Sequence, residues 1–407
     1  LIPLQSAWQI VMRHRRHRVS PKTMRADLAQ SRYRVLAEDV RAVSDAPAFD
    51  RSLFDGYAVR ASDVKKAGAA LRIIEEVPAG KRPREVLQRG TCAAIATGAM
   101  LPKGADAVAK KEDVWLLSAD CAVMQTVVKK GENFTRRGSY FKRGASLLRR
   151  GASLDAARIG LLASQGVTRV RVLRPPRVAV LSTGDEIVEA GRAAGPTQVR
   201  NASAPMLLAA LDRLGIKGLY LGCVKDRPAA LKKRLAQGLR HDVLVVTGAV
   251  SMGRKDYVPA MLRKLGVRIL FHKVRIRPGK PVLFGTRGRC AVFGLPGNAV
   301  SSLVTFLLFV KPVLERLMGR PAQTLFEKGV LAKATGNDSG RLSFLPGRLK
   351  EKEGRPARAR LRVITPLRFC DSSDLRAAAE ADVFYVLKET QAKAGKGTAV
   401  PFLRIPL

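Results

Sequence analysis

The chain has 407 residues, 46% of them hydrophobic and 26% charged, a balance that excludes a disordered polymer and predicts roughly two to four globular units. Lys and Arg number 74 against 33 Asp and Glu, a formal net charge of +41. Such a field draws anionic partners, whether phosphates, nucleic acid, a membrane surface or a small anion, and an arginine-rich genome or an acidic, salty habitat accounts for it equally well.

In chain order, "RHRRHR" (13–18) reads as the solvated face of a helix, because no apolar signal core or small-residue cleavage site follows it. Helix-like spacing runs from about Ala26 to Val40, in "LAQSRYRVLAEDV". The next segment, 41–63, is rich in turn formers and acids and reads as a loop, not a core strand. Residues 71–144 alternate short β-branched runs with Gly and Pro, the mark of a small, mostly β unit. "GASLDAARIGLLASQGVTRVRV" (151–172) predicts a helix with Ser153 as N-cap and Gly166 as stop.

After "RPP" (174–176) strands alternate with helices as in a parallel α/β sheet: "RVAVLSTGDEI", "APMLLAALDRLG", "LYLGCV", "RPAALKKRLAQGL", "VLVVTG", "DYVPAMLRKLG", "VLFGT", "CAVFGLPGN" and one long helix "AVSSLVTFLLFVKPVLERLMG". Beyond Pro321 short β runs return and predict a separate C-terminal β domain. The longest apolar stretch, 300–310, stops at Lys311, well short of the ~20 residues a bilayer span needs. The five cysteines, Cys92, Cys121, Cys223, Cys290 and Cys370, have no metal or redox spacing and read as reduced cytoplasmic thiols. No helix-turn-helix, zinc-finger or aromatic stacking motif accompanies the charge, which argues against nucleic acid.

Three predicted strands end in small-residue turns: "LSTGDE" (181–186), "VTGAVSMG" (246–253) and "FGLPGN" (293–298). Ligands of open parallel sheets lie outside the carboxyl ends of the strands, so the three turns predict one crevice for a phosphate-bearing small molecule. Asp185, Glu186, Asp226 and Asp256 all fall just past strand ends. Carboxylates gathered beside a phosphate site hold a divalent cation; Asp226 and Asp256 also precede helices, where they serve equally well as N-caps without any metal. Arg277 and Lys280 in "RIRPGKPVLFG" offer positive charge to an oxyanion, or simply lie on the surface.

The motifs "FDRSLFDGYAVR" (49–60), "ATGAMLPKGADAV" (96–108), "RVAVLSTGDEIV" (177–188), "VVTGAVSMGRKDYV" (245–258), "RIRPGKPVLFG" (275–285) and "GLPGNAVSSLVTF" (294–306) come in the order and approximate spacing of a known family. The chain resembles, over nearly its whole length, the molybdopterin molybdenumtransferases, which include bacterial MoeA and the E domain of gephyrin. The resemblance implies a multidomain α/β fold. Its parts are a discontinuous linker domain (1–48 and 145–172), an elongated mostly-β insertion (49–144), a three-layer molybdopterin-binding α/β domain (173–322) and a C-terminal β barrel (323–407). It also implies a cytoplasmic homodimer with a shared active site, which inserts molybdate into adenylylated molybdopterin and releases AMP with Mg²⁺.

Carried residue by residue, the resemblance makes Asp55 and Thr97 the contributions of the insertion, and Glu186, Asp226 and Asp256 both the catalytic acids and the Mg²⁺ ligands. Substrate contacts fall on Thr183, Gly184 and Asp185 in the first turn, Thr247, Gly248, Ser251 and Gly253 in the second, and Pro296, Gly297 and Asn298 in the third. Molybdate falls to Lys280, Arg341 and Ser372, with Ser373 as the neighbouring choice. The chain departs from the family pattern before Asp55, and at Ser139 and Tyr140, where acids are usual. It departs again at Asn201 and Ser203, in place of Asp and Asn, at Ala249 and Ala299, in place of Gly and Pro, and at Arg277, in place of Lys. These departures keep a second reading open, a pterin-binding carrier that has lost turnover.

Overall fold

The computed structural model describes residues 1–14, 22–248, 257–320, 326–353 and 360–405. The chain divides into two compact units, one of Leu1–Ala37, Ser153–Asp155 and Val170–Leu407, the other of Glu38–Ala152 and Ala156–Arg169.

The first unit is built on a six-stranded sheet in the order Leu219–Val224, Val178–Thr183, Val243–Thr247, Cys290–Leu295, Leu283–Arg287, Arg268–His272. Pairing among the first four is parallel. Leu283–Arg287 then runs antiparallel to both its neighbours, so the expected parallel sheet has a mixed edge. The link from Arg287 to Cys290 is a tight turn, with Gly288 at φ 53°, and only antiparallel strands can be joined by so short a connection.

Strand periodicity assigns the two faces. Val178, Val180, Val243 and Val245 bury against Leu207, Leu211, Val300 and Leu314. Their neighbours Ala179, Leu181, Leu244 and Val246 bury against Leu231, Leu235, Val258 and Leu262 on the other side. Both sets are almost wholly excluded from water, and each full burial of a Val or Leu side chain contributes about 1.5–3 kcal/mol. The result is three layers.

Helices Ser203–Arg213, Pro228–Gly238 and Tyr257–Lys264 lie where the apolar spacing predicts them. The long helix expected after Asn298 is not uniform: Ala299–Thr305 passes through a π turn, Phe306–Val310, into Lys311–Leu317. Pro312 has no N–H to give to the preceding turn, and the helix widens just before it.

The same unit ends in a second sheet. Strands Leu342–Glu353, Arg360–Pro366, Glu327–Leu331, Ala399–Arg404 and Val383–Leu387 follow one another, and the first pairs back onto the last to close a five-stranded barrel, with Ile276–Arg277 added beside Leu342–Glu353. Closure removes the free edges an open sheet exposes. Leu331, Ile364, Val383, Tyr385 and Phe402 fill its core.

The second unit holds a sheet in the order Ala107–Lys110, Gly56–Val59, Thr91–Ile95, Ala69–Val77, Cys121–Met124, Val114–Ser118. Here two readings of the sequence are corrected. Segment 41–63 is not simply a loop, because Gly56–Val59 is an inner strand of this sheet, with Ala58 and Val59 fully buried. At Gly56 an added Cβ would meet the Ala109 carbonyl oxygen at 1.9 Å, so what reads as a turn former is a close strand contact.

The helix-like spacing of 26–40 also fails to make a helix. Thr23–Asp27 is a strand, Leu28–Gln30 a single 3₁₀ turn, and Tyr33 adopts φ 62°, which interrupts any right-handed helix. Helix Ala156–Ser164 exists and Gly166 follows it at φ 73°, but it starts too late for Ser153 to cap it. At the N-terminus helix Leu4–His14 includes the start of "RHRRHR", whose remainder lies outside the described residues. No described helix is long and apolar enough to cross a membrane.

Candidate active site

Strand Val178–Thr183 lies between Leu219–Val224 and Val243–Thr247, so the chain steps from it to one side and then crosses to the other. The crevice outside the carboxyl ends at such a reversal is where open α/β sheets bind ligands. A cavity of about 260 Å³ opens there, lined by Ser182 and Thr183, by Arg200 to Ser203, by Thr247 and Gly248, by Gly297 to Ala299, and by Ser373 and Leu375 with Ile187 and Val199.

The backbone is close-packed around it. Gly248 sits at φ 87°, where a Cβ would fall 2.0 Å from the Thr183 carbonyl oxygen, and its Cα lies 3.7 Å from the Cβ position of Gly297. Only glycine fits the first position. Gly184, at φ 149°, turns the chain away from its strand. Of the other expected substrate contacts, Pro296 accepts from the Ser302 hydroxyl through its carbonyl, at 2.5 Å, and Asn298 donates to the Ser372 hydroxyl at 2.6 Å. Ala299, where the family pattern has Pro, is buried in the cavity wall. Ser251, Gly253, Ala249 and Asp256 lie outside the described residues.

At the rim the acids are tied to one another. The Thr183 hydroxyl donates to Asp226 Oδ1 at 2.5 Å, and the Asp226 backbone N–H donates to Asp185 Oδ1 at 3.1 Å. Lys225 Nζ donates to the Asp185 carbonyl oxygen. The N-cap of helix Pro228–Gly238 is Arg227, so Asp226 stands one residue outside the capping position and faces Thr183 instead. Glu186 is exposed beside Gly184, with its backbone carbonyl bonded to Val199 N at 2.9 Å.

Among the described residues no three His, Cys, Asp or Glu side chains form a cation-binding group. The acids present, Asp185 and Glu186 past one strand end and Asp226 past its neighbour's, offer hard carboxylate oxygens, which suit a small divalent cation rather than a soft one.

Lys280 is exposed on the turn after Ile276–Arg277, and Arg341 reaches that same segment by donating to the Ile276 carbonyl at 3.4 Å. Ser373 lines the cavity, whereas Ser372 bonds Asn298 at its edge.

In the second unit Asp55 Oδ1 accepts from the Thr97 backbone N–H at 2.6 Å and from its hydroxyl at 2.8 Å. These bonds, the backbone one foremost, hold the Asp55 carboxyl below the ordinary carboxylate range, with the Lys111 charge adding to the effect. The departures at 51 and 140 meet each other: Arg51 donates to the Tyr140 hydroxyl at 3.3 Å and lies 5.8 Å from the ring centroid.

The chain matches, in order, the MoeA N-terminal region (domain I and II) over residues 2–166, the "Probable molybdopterin binding domain" over 179–316, and the MoeA C-terminal region (domain IV) over 328–405. It is 37% identical over 301 residues to the molybdopterin molybdenumtransferase of Nostoc sp., covering 72% of this chain and 69% of that one. To the molybdopterin molybdenumtransferase of Bacillus subtilis it is 32% identical over 372 residues, covering 88% and 84%.

The chain belongs to the molybdopterin molybdenumtransferase family. The solved molybdopterin biosynthesis MoeA protein of Pyrococcus horikoshii superposes with a TM-score of 0.78 at 31% identity, over 100% of this chain and 99% of that one. The multidomain α/β architecture expected of a molybdopterin molybdenumtransferase is therefore the one observed.

Several lining residues were not singled out as contacts in the sequence. Ser182 is a polar residue near the end of an otherwise apolar strand, a signal carried by the sequence itself. Arg200 and Leu375 carry none, because they reach the cavity through the fold alone. Asn201 and Ser203, singled out only as departures, turn out to be buried parts of the wall.

Proposed function

We propose that the chain inserts molybdate into the dithiolene of adenylylated molybdopterin and releases AMP, as the last assembly step of the molybdenum cofactor. Family membership makes the chain an enzyme of molybdenum cofactor biosynthesis. The observation that carries the finer reading is the cavity at the strand reversal, with glycine-lined backbone on one side and the Thr183, Asp185 and Asp226 cluster at its rim.

In this reading the residues 182–184, 247–248 and 296–298 enclose the pterin and its phosphate, and Asp226, oriented by Thr183, sits beside the phosphoanhydride. Asp185, Glu186, Asp226 and Asp256 are the oxygen donors that would hold Mg²⁺. When bound, that ion neutralises phosphate charge and lowers the cost of displacement at phosphorus. Lys280 and Arg341, with Ser372 and Ser373, present positive charge and hydroxyl donors to molybdate. Their work is positioning and charge neutralisation, as is general for phosphoryl-type displacements.

We further propose the four-domain division given above, and a cytoplasmic homodimer in which Asp55 and Thr97 are supplied across the subunit boundary. Mixing Asp55→Ala with Asp226→Ala protein tests that arrangement, since restored turnover requires a shared site.

The direct test is AMP release from adenylylated molybdopterin by the full chain, with molybdate and Mg²⁺ each omitted in turn. Release that needs both supports the proposal. Substrate binding with no AMP release replaces it with the carrier reading.

A further inference from the structure

From the cavity wall inward runs a chain of hydrogen bonds whose direction the proposed reaction does not use. Glu189 Oε1 accepts from the Tyr220 hydroxyl at 2.9 Å and from the Cys223 backbone N–H at 3.2 Å. The Tyr220 oxygen accepts from Asn201 Nδ2 at 2.8 Å. Asn201 Oδ1 accepts from the Ala204 backbone N–H at 3.1 Å and from the Ser182 hydroxyl at 3.4 Å. The Ser182 and Thr247 hydroxyl oxygens are 3.0 Å apart.

Backbone donors fix the direction of most of these bonds. A backbone N–H only donates, so the atom of Asn201 facing Ala204 is the amide oxygen and the amide nitrogen must face Tyr220. Tyr220 therefore accepts from Asn201 and sends its own proton to the carboxylate of Glu189. Ser182 faces the amide oxygen and spends its proton there. Either oxygen can donate in the Ser182–Thr247 contact; with the Ser182 proton on Asn201, the donor is Thr247. Under that assignment the Ser182 and Thr247 protons are both spent within the cavity wall, and Thr247 offers lone pairs to whatever enters.

Two observations make the polarity durable. Ser182, Asn201 and Thr247 are 2%, 4% and 3% exposed, which leaves water little access to reset them. Burial, and then the Glu189 carboxylate, push the Tyr220 hydroxyl far above the ordinary phenol range, so it keeps its proton at any working pH.

We propose that Thr247 is a specificity-determining acceptor for the ligand, oriented by the positioning residues Ser182, Asn201, Tyr220 and Glu189. Its wall of the cavity then takes a hydrogen-bond donor edge, the amino or ring N–H groups of a pterin, and rejects a phosphate or carbonyl oxygen. This rests on the pterin reading of the site given above. Two facing acceptors leave both unpaired in a buried place, which is why a site built for a donor discriminates more strongly than one that merely excludes by size.

The test compares pterin with lumazine, in which the 2-amino donor is replaced by a carbonyl oxygen, using quenching of their fluorescence by the full-chain protein. Pterin binds about 10- to 100-fold more tightly. Thr247→Val, which keeps the shape and removes the acceptor, loses that preference, and Thr247→Ser restores it. Asn201→Leu frees the Ser182 proton and reduces the ratio independently, while the far-ultraviolet spectrum stays that of the wild type.

Equal binding of the two compounds by the wild type, an unchanged ratio in Thr247→Val, or no binding of either at millimolar concentration each overturns the proposal. Discrimination without AMP release leaves it standing and removes the proposed reaction. AMP release without discrimination does the reverse.

Discussion

Thr97 holds Asp55 through two bonds to the same carboxylate oxygen, one from its backbone N–H at 2.6 Å and one from its hydroxyl at 2.8 Å. The pairing ties one carboxylate oxygen of an exposed aspartate to the backbone and side chain of one residue. The backbone donor survives any substitution at 97 other than proline, so the side chain can be tested separately.

Thr97→Val should raise the Asp55 titration midpoint toward the ordinary carboxylate value, and Thr97→Ser should leave it nearly unchanged, as followed by carboxyl carbon NMR. The folded-state pKa is depressed, so the contribution of this contact is complete above the ordinary aspartate value and is lost as pH falls through the lower, folded one. A midpoint that does not move in Thr97→Val removes the role given to the hydroxyl.

Thr183 and Asp226 act as a pair in the proposed reaction, joined at 2.5 Å. Asp226→Asn keeps the size and removes the charge; AMP release is expected to fall by roughly 10²- to 10³-fold. Thr183→Val leaves the charge but frees its orientation, with a smaller loss, about 10-fold. Wild-type turnover in both variants, measured by chromatography of released AMP, contradicts the assignment.

Gly248 has no room for a side chain, since an added Cβ would lie 2.0 Å from a backbone oxygen at φ 87°. Gly248→Ala is expected to lose about 2–4 kcal/mol of stability and to weaken pterin binding, because Thr247 and Gly248 line the same cavity. Chemical denaturation and fluorescence quenching check the two effects separately.

The cysteines differ in reactivity for stated physical reasons. Burial pushes the Cys92 thiol up to about 12 and the Cys223 thiol, with Glu189 adding to it, up to about 11, so neither holds appreciable thiolate near neutral pH. Cys370 is exposed. Iodoacetamide at pH 7.5 should therefore label Cys370 well before Cys92 or Cys223, as read by peptide mass spectrometry; early modification of Cys223 would show that its strand end opens in solution.

Much of the α/β architecture was legible because apolar periodicity is a local signal. The strands 178–183, 243–247 and 290–295 are nearly unbroken apolar runs, and a run buried on both faces looks the same wherever it lies in the chain. Gly56–Val59 was not legible, since four residues framed by turn formers carry too little pattern, and what makes them a strand is pairing with partners distant in sequence. The antiparallel edge at Leu283–Arg287 was missed for the related reason that composition does not record strand direction.

The linear order of residues by itself determined which family this chain joins and which strand ends, at Thr183, Thr247 and Leu295, lead into small-residue turns, because those depend on side-chain chemistry and short spacings. Only the folded chain decided that Asp226 bonds Thr183 instead of capping a helix, that Arg51 and Tyr140 meet, and that Ser182, Asn201 and Thr247 form one buried hydrogen-bonded row. Those are relations between residues tens of positions apart, and hydrogen-bond direction depends on every partner being present at once.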